Sequence, residues 1–270
     1  MNPIAVRTYG AGGATVVVLH GGPGAPGSAA GLARGLATRF KVLEPLQRRA
    51  GEVPLTVAQH VADLTEVAPS PAALVGWSWG AMLALSYASA HPQRVSAVVL
   101  VGCGTFSEAD RLEYRRRMNA RLGEAGLRRL EALRQALQVE TDGPTRDRLL
   151  GEQGALATQA QSVELLDEAD TDALEPDARG SQETWDDVLR RQASHLEPAA
   201  FASVRAPVLM IHGDADPHPG AATRDTLRPY LPQLEYVELE RCGHLPWREQ
   251  HARARFFHVL GDWLAGQPSR

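Results

Sequence analysis

Short apolar runs alternate with helical patterns along the first hundred residues of this chain. The apolar runs are continuous, which is typical of strands that are covered on both faces. Between them, apolar residues recur at helical spacing after Thr56, a predicted N-cap, and over residues 80–91. Strands that alternate with helices predict a mostly parallel sheet. The predicted strands span residues 4–9, 15–19, 41–44, 72–76 and 95–101.

The pattern changes between residues 105 and 200, where the sequence is charged and helical and no strand is predicted. Helical patterns cover 111–137 and 183–195, and Gly143-Pro144 and Glu175-Pro176 interrupt the segment. After Pro207 the alternation resumes, with predicted strands at 208–212 and 234–239 and predicted helices at 221–231 and 247–264.

These two patterns predict an α/β fold in which a doubly wound, mostly parallel sheet is interrupted by a helical insertion. We expect residues 1–104 and 201–270 to form the sheet core, and residues 105–200 to form an all-helical cap. In an open α/β sheet, ligands bind at the carboxyl ends of the strands. The cap is therefore expected to cover the binding site.

Composition narrows the class of protein. With 44% hydrophobic and 22% charged residues in 270, the chain has ordinary globular composition, and a net charge of −4 gives no basic footprint for nucleic acid. No apolar stretch approaches the ~18–20 residues of a membrane helix, and no secretory signal is visible. We therefore expect a cytoplasmic protein that acts on a small molecule, with Cys103 and Cys242 as reduced thiols. The sequence leaves the oligomeric state open.

Residues 76–80 read Gly-Trp-Ser-Trp-Gly and lie between a predicted strand and a predicted helix. Such a G-x-S-x-G turn is so sharp that side chains on either side of the serine would collide, and it raises the serine hydroxyl above the sheet. Ser78 is therefore the candidate nucleophile.

A serine nucleophile needs a base that is held by an acid, and in this fold both follow the serine in the chain. The acid is expected in the loop after the strand at 208–212, where Asp216 is our first choice and Asp214 the alternative. The base is expected to be His244, which lies between the last strand and the last helix. Without Ser78 and Asp216, His244 would be interpreted as an ordinary surface or capping histidine.

The reaction also needs two N–H donors where negative charge develops on the substrate. The backbone N–H of Trp79, directly after the nucleophile, is one candidate. The second is expected in the glycine-rich loop after the strand at 15–19, with Gly22 preferred and Gly21 as the alternative.

One further run contains residue types that bind metals: His212, Asp214, Asp216 and His218 alternate along the chain. A metal at this position would compete with the acid of the triad. We therefore expect no metal and no cofactor.

The motifs HGGPG, GWSWG, GDADP and GHLPW together resemble the α/β-hydrolase superfamily, and in particular its proline iminopeptidase and esterase branch. The resemblance implies a helical cap, a triad of Ser78, Asp216 and His244, and an oxyanion hole at Gly22 and Trp79. Proline iminopeptidases carry an Asp-Gln-Arg-Gly-x-Gly-x-Ser stretch, of which residues 44–51 retain only Gln47-Arg48. This departure disfavours aminopeptidase activity.

The cap also contains candidate substrate-binding residues. An exopeptidase must neutralise a free amine, and Glu183, Asp186 and Asp187 flank Trp185 on one predicted helix. A solvated acidic helix face would explain the same carboxylates. The tryptophans that could line an apolar pocket are Trp77, Trp79, Trp185 and Trp247, although Trp77 and Trp247 fit core packing equally well.

The sequence thus predicts a serine hydrolase that cleaves a small ester or amide through an acyl-enzyme, with an esterase favoured over an iminopeptidase. Perhydrolysis or cleavage of a C–C bond on the same triad is also open. A small-molecule binding protein that keeps the fold without turnover is the alternative from a different class.

Overall fold

In a computed structural model, residues 3–167 and 172–267 are described, and within them the chain forms seven strands and eight α-helices. Residues 168–171, which belong to the predicted cap, lie outside the described residues. The strands are β1 (Val6–Tyr9), β2 (Thr15–Leu19), β3 (Lys41–Pro45), β4 (Ala72–Trp77), β5 (Val95–Val101), β6 (Val208–Gly213) and β7 (Leu234–Leu239). The helices are α1 (Ala30–Leu36), α2 (Val57–Val67), α3 (Trp79–Ala90), α4 (Glu108–Val139), α5 (Gly143–Gln161), α6 (Ala178–Ala193), α7 (Gly220–Leu227) and α8 (Arg253–Ala265).

All seven strands form one sheet in the order β1-β3-β2-β4-β5-β6-β7. Every neighbouring pair is parallel except β1 and β3, which are antiparallel, so the prediction of a mostly parallel sheet is confirmed. The carboxyl ends of β4, β6 and β7 consequently lie along one edge of the sheet. The loops that carry the three candidate triad residues begin at that edge.

The core has two layers, one on each face of the sheet. In β2, Val17 and Leu19 pack with α2 and α3, whereas Val16 and Val18 face the opposite way and pack with α1 and α8. Burial of alternate residues on both faces explains why the strand sequences are continuously apolar.

Side-chain caps set the start of several helices. Thr56 accepts a hydrogen bond from the Gln59 N–H at the start of α2, as predicted. Asp142 caps α5, and the Gly143-Pro144 pair lies in the first turn of that helix. This pair therefore separates α4 from α5 and also begins α5. Proline is tolerated in this position because the backbone N–H that it lacks would have no partner in the first turn of a helix. The sequence pattern did not predict α5 or α1 as separate helices.

Helices α4, α5 and α6 lie between β5 and β6 in the chain. The described part of this insertion contains no strand, only an isolated bridge between Leu165 and Glu249. Helix α4 is kinked at Gly123, whose φ is +61°. No helix in the described residues has the length and apolar character needed to span a bilayer. Cys103 and Cys242 are both buried and unpaired.

Candidate active site

Ser78 lies at the turn between β4 and α3 and has an unusual backbone conformation, with φ +55° and ψ −118°. A non-glycine residue in this region is strained, and such strain is common at functional sites. The two glycines of the motif permit the turn. A Cβ on Gly76 would lie 2.1 Å from the Gly80 carbonyl oxygen, and one on Gly80 would lie 2.3 Å from the Leu19 carbonyl oxygen. Only glycine therefore fits either position.

His244 and Asp216 are in direct contact. His244 Nδ1 and Asp216 Oδ2 are 2.7 Å apart, and both side chains are buried. The alternative acid, Asp214, accepts a hydrogen bond from the Cys242 N–H at 3.1 Å and supports the loop. Of the two aspartates, Asp216 is thus the one that meets the imidazole.

Ser78 and His244 each lie against the chain at the end of β5. The Ser78 N–H donates to the Val101 carbonyl at 2.9 Å, and a Cβ on the following Gly102 would lie 2.9 Å from His244 Nδ1. In addition, the indole N–H of Trp77 donates to the His244 carbonyl at 2.9 Å. Among the described residues, the Ser78 hydroxyl has no hydrogen-bond partner, so it is available to a ligand or to His244.

Two further histidines surround the buried carboxylate of Asp216. His218 Nδ1 lies 2.9 Å from Oδ1, and His212 Nε2 lies 3.3 Å from Oδ2. Burial alone would raise the pKa of Asp216, but the histidines around it, with His244 foremost, hold the pKa of this carboxyl well below its usual range. Asp216 is therefore an anion at neutral pH.

Burial lowers the pKa of His218 to about 4 and also lowers the pKa of His212. Both rings are consequently neutral near pH 7. The sequence placed these histidines only in a possible metal-binding run, and their shared contact with Asp216 was not predicted. The sequence signal for this cluster was the alternating spacing of the histidines and aspartates.

The residues that come together in the structure are not the four of the alternating run in the sequence. Asp216, His218 and His244 each offer a ligand atom within 4.8 Å of the others, whereas Asp214 and His212 are not part of this group. Both Nδ1 atoms already hydrogen-bond to the Asp216 carboxylate.

The glycine-rich loop after β2 passes close to Ser78. The buried His20 accepts from the Gln47 N–H at Nε2, so its proton is on Nδ1, which donates to the Gly21 carbonyl at 2.8 Å. The carbonyl and N–H of one trans peptide point in opposite directions, so the Gly22 N–H points away from His20. A Cβ on Gly21 would lie 3.2 Å from Ser78 Cβ, and Gly22 has a φ of +113° that favours glycine.

The Trp79 N–H is in the first turn of α3, where backbone N–H groups have no partner within the helix. Neither it nor the Gly22 N–H donates a hydrogen bond to any described residue. The prediction of these two N–H groups as the oxyanion donors, with Gly22 preferred over Gly21, stays a prediction.

Gln47 connects the two donor segments and was not predicted as a site residue. Its side-chain amide donates to the His20 carbonyl at 3.1 Å and accepts from the Trp79 indole N–H at 2.8 Å. The signal was present in the sequence, because Gln47-Arg48 is the part of the iminopeptidase stretch that this chain retains. Arg48 itself forms a two-pronged ion pair with the buried Asp63.

Two acidic residues of α6 hydrogen-bond to the sheet core. Glu183 accepts a hydrogen bond from the Leu55 N–H, and the buried Asp187 accepts one from the Val57 N–H in the first turn of α2. Each carboxylate also pairs with an arginine on its own helix. These contacts fasten α6 to the sheet core, and the substrate-binding role of Glu183 and Asp187 stays a prediction. Asp186 is exposed and accepts from Gln182.

The tryptophans divide between core and site. Trp247 is buried in the core layer with α8, and Trp77 packs against that layer at its edge. Trp79 is buried in the other layer, and the partly buried Trp185 packs against the same layer. The core interpretation therefore holds for Trp247, and Trp77 contacts both the core and His244.

Comparisons with known proteins relate this chain to others by sequence and by fold. A sequence profile described as "Alpha/beta hydrolase family" matches residues 16–257. A pimeloyl-[acyl-carrier protein] methyl ester esterase of Chromobacterium violaceum is 40% identical over 100 residues, which are 36% of this chain and 39% of that protein. A protein of the same name from Salmonella newport is 32% identical over 105 residues, 37% of this chain and 41% of its own. The matched segments thus span about two fifths of these curated relatives.

Solved structures resemble almost the whole chain. A thermophilic esterase from Thermogutta terrifontis has a TM-score of 0.63 at 18% identity, covering 97% of this chain and 93% of that one. An enol-lactonase from Burkholderia xenovorans LB400 has a TM-score of 0.61 at 19% identity, covering 97% and 96%. At these identities the likeness concerns the fold.

Proposed function

This chain belongs to the alpha/beta hydrolase family, and we propose that it is a serine hydrolase that cleaves a small ester through an acyl-enzyme. The observation that carries the proposal is the 2.7 Å contact between Asp216 and His244, on the same sheet edge as the strained Ser78. The curated relatives named as esterases support ester chemistry.

In the first half of the proposed reaction, the Ser78 hydroxyl oxygen attacks the carbonyl carbon of the ester. His244 Nε2 takes the hydroxyl proton, and the anionic Asp216 stabilises the imidazolium through Nδ1. The carbonyl oxygen becomes an anion in the tetrahedral intermediate, and the N–H groups of Gly22 and Trp79 bind it. Collapse of the intermediate breaks the C–O bond, and the alcohol leaves with the proton from His244.

The second half repeats these steps with water as the nucleophile. Water attacks the acyl carbon of the Ser78 ester while His244 takes one of its protons. The new tetrahedral intermediate then collapses, the bond to the Ser78 oxygen breaks, and the proton returns to that oxygen. The products are a carboxylic acid and the free enzyme.

Ester cleavage is favoured over aminopeptidase activity because of the acidic residues in α6. Binding of a free amine calls for a carboxylate that faces the substrate, and Glu183 and Asp187 hydrogen-bond to backbone N–H groups of the core instead. We propose that α4, α5 and α6 form the cap over the site and shape the acyl pocket, with Trp185 as a candidate lining residue.

The test compares the parent chain with Ser78→Ala on p-nitrophenyl esters of increasing acyl length and on alanyl and prolyl anilides. We expect ester hydrolysis that falls by roughly 10⁴-fold or more in the variant. A fluorophosphonate probe should label the parent at Ser78 and not the variant. Faster cleavage of the anilides would favour the aminopeptidase alternative, and absence of labelling would favour the binding-protein alternative.

A further inference from the structure

We propose that His218 is a positioning residue for the pair formed by Asp216 and His244. This inference rests on the proposed function, because it assigns His218 a role in activating Ser78 through His244. Its basis is that one buried carboxylate is shared between two stacked imidazole rings.

The first step of the argument concerns the two oxygens of Asp216. The side chain of His218 and its own backbone N–H both donate to Oδ1 at 2.9 Å, whereas His244 Nδ1 meets Oδ2 at 2.7 Å. With Oδ1 occupied in this way, the carboxylate cannot rotate without breaking two hydrogen bonds. His218 therefore fixes the oxygen and the direction from which Asp216 meets His244.

The second step concerns the imidazole faces. The ring of His218 stacks on that of His244 with centroids 4.5 Å apart and planes inclined by 22°, and Tyr114 of α4 stacks on its other face at 4.2 Å. His218 thus lies between the inserted helix and the proposed base. This stack limits rotation of the His244 ring, and a neutral π-system beside the ring favours the imidazolium that forms during reaction.

The groups that face His218 come from three parts of the fold. Asp216 and His212 belong to the β6 strand and its loop, His244 to the loop after β7, and Tyr114 to α4. On α4, Arg121 donates to the Ala215 carbonyl in the same loop.

Burial keeps His218 neutral near pH 7, so it donates from Nδ1 without adding a positive charge beside His244. Its Nε2 has no hydrogen-bond partner among the described residues. The role we infer therefore depends on the Nδ1 proton and on the ring face.

The experiment separates these two contributions. His218→Asn keeps an amide N–H close to the position of Nδ1 and removes the ring, whereas His218→Phe keeps an aromatic ring and removes the donor. The readout is the second-order rate constant of fluorophosphonate labelling between pH 5 and 9, which requires no knowledge of the natural substrate. Circular dichroism checks folding, and His218→Leu replaces the Phe variant if that variant does not fold.

We expect His218→Phe to be labelled roughly 10- to 100-fold more slowly than the parent chain at pH 7.5. The midpoint of the acidic limb should move upward by about half a unit to one unit, because the less solvated Asp216 anion then holds the imidazolium more strongly. His218→Asn should restore the parental midpoint and part of the rate.

Parental rate and midpoint in His218→Phe would overturn the proposal. So would an equal loss of rate in the Asn and Phe variants with an unmoved midpoint, since that result indicates structural support alone. If the parent chain itself does not react with the probe, the proposed function is wrong. This outcome is distinguishable, because the parent chain is measured before any His218 variant.

Discussion

The indole N–H of Trp77 donates a 2.9 Å hydrogen bond to the backbone carbonyl of His244. The residue before the proposed nucleophile thus holds the loop that carries the proposed base. The two rings also meet, with centroids 5.5 Å apart. The strand-to-helix turn and the loop after β7 are therefore fastened to each other next to the site.

Replacing Trp77 by Phe should separate this hydrogen bond from the packing of the ring. We expect the free energy of unfolding to fall by about 1 kcal/mol, because the His244 carbonyl loses its donor. The rate of p-nitrophenyl ester hydrolysis should fall by roughly 10-fold as the base loop loosens. The control is Trp263→Phe, since the Trp263 indole donates to Glu235 at the surface. Equal losses of ester hydrolysis in both variants would contradict the expectation.

The strained backbone of Ser78 makes a second prediction. Glycine adopts φ +55° and ψ −118° more easily than alanine, so Ser78→Gly should be more stable than Ser78→Ala. An advantage of about 1 kcal/mol corresponds to roughly 2–4 °C in melting temperature. Differential scanning calorimetry measures the difference between the two variants.

The same pair of substitutions at Ser89 provides the matched control for Ser78. Ser89 lies within the α3 helix, where glycine is about 1 kcal/mol less favourable than alanine. The order of stability should therefore be reversed at Ser89. If alanine is the more stable residue at both positions, Ser78 is not strained.

Glu249 supports the loop that carries His244, the proposed base. Its buried carboxylate accepts three backbone N–H groups: those of Gly243 and Val163 at 3.0 Å and that of Glu164 at 2.9 Å. Glu249→Gln has nearly the same shape but turns an NH₂ group toward at least one of these donors. We expect a loss of roughly 2–3 kcal/mol in the free energy of unfolding, measured by urea titration.

Because Gly243 precedes His244, the Glu249→Gln variant should also hydrolyse p-nitrophenyl esters more slowly. The exposed Glu240 provides the control, and Glu240→Gln should change stability by less than about 0.5 kcal/mol. Stability of Glu249→Gln equal to that of the parent would show that the carboxylate is not needed at this position.

Buried histidines should make the protein less stable in mild acid. Burial lowers the pKa of His60 to about 4, against 6.5 as its ordinary value. Above pH 6.5 the group is neutral in both the folded and the unfolded state and has no effect on the pH dependence. Between pH 6.5 and 4 only the unfolded state binds the proton, so stability is lost as the pH falls, by up to about 1.4 kcal/mol per pH unit.

His60→Gln should reduce the slope of the unfolding free energy against pH by the contribution of about one proton. The measurement is the free energy of unfolding in urea at several pH values between 7.5 and 5. His258 has an exposed ring, and His258→Gln is the matched surface control. An unchanged slope in His60→Gln would contradict the burial argument.

The sequence pattern predicted the sheet closely. Six of the seven strands begin at the predicted residue, and β1 begins two residues later than predicted. This success has a simple cause, because a strand buried on both faces must be apolar at nearly every position. The helices were predicted less well: α1 is only seven residues long, and the boundary between α4 and α5 depends on a cap rather than on periodicity.

In the candidate site, too, some residues were predicted from the sequence and others were not. Ser78, Asp216 and His244 were predicted because each follows a strand and bears a reactive group, and the structure brings Asp216 and His244 into contact. For Gln47 and His218 the sequence offered only a retained Gln-Arg pair and an alternating run of metal-binding residue types, and neither pattern indicates the role seen in the structure. Their roles come from contacts with Trp79 and with two other histidines, and these contacts exist only after folding.

By itself, the sequence determined which strands are buried, where the sharp turn at Ser78 occurs and which residues can supply acid and base chemistry, because these properties depend on local spacing and side-chain type. Tertiary structure alone decided that Asp216 rather than Asp214 meets His244, and that Glu183 and Asp187 fasten α6 to the core. The physical reason is that a carboxylate takes its role from the donors within about 3 Å of it. In this fold those donors come from segments that are distant in the chain.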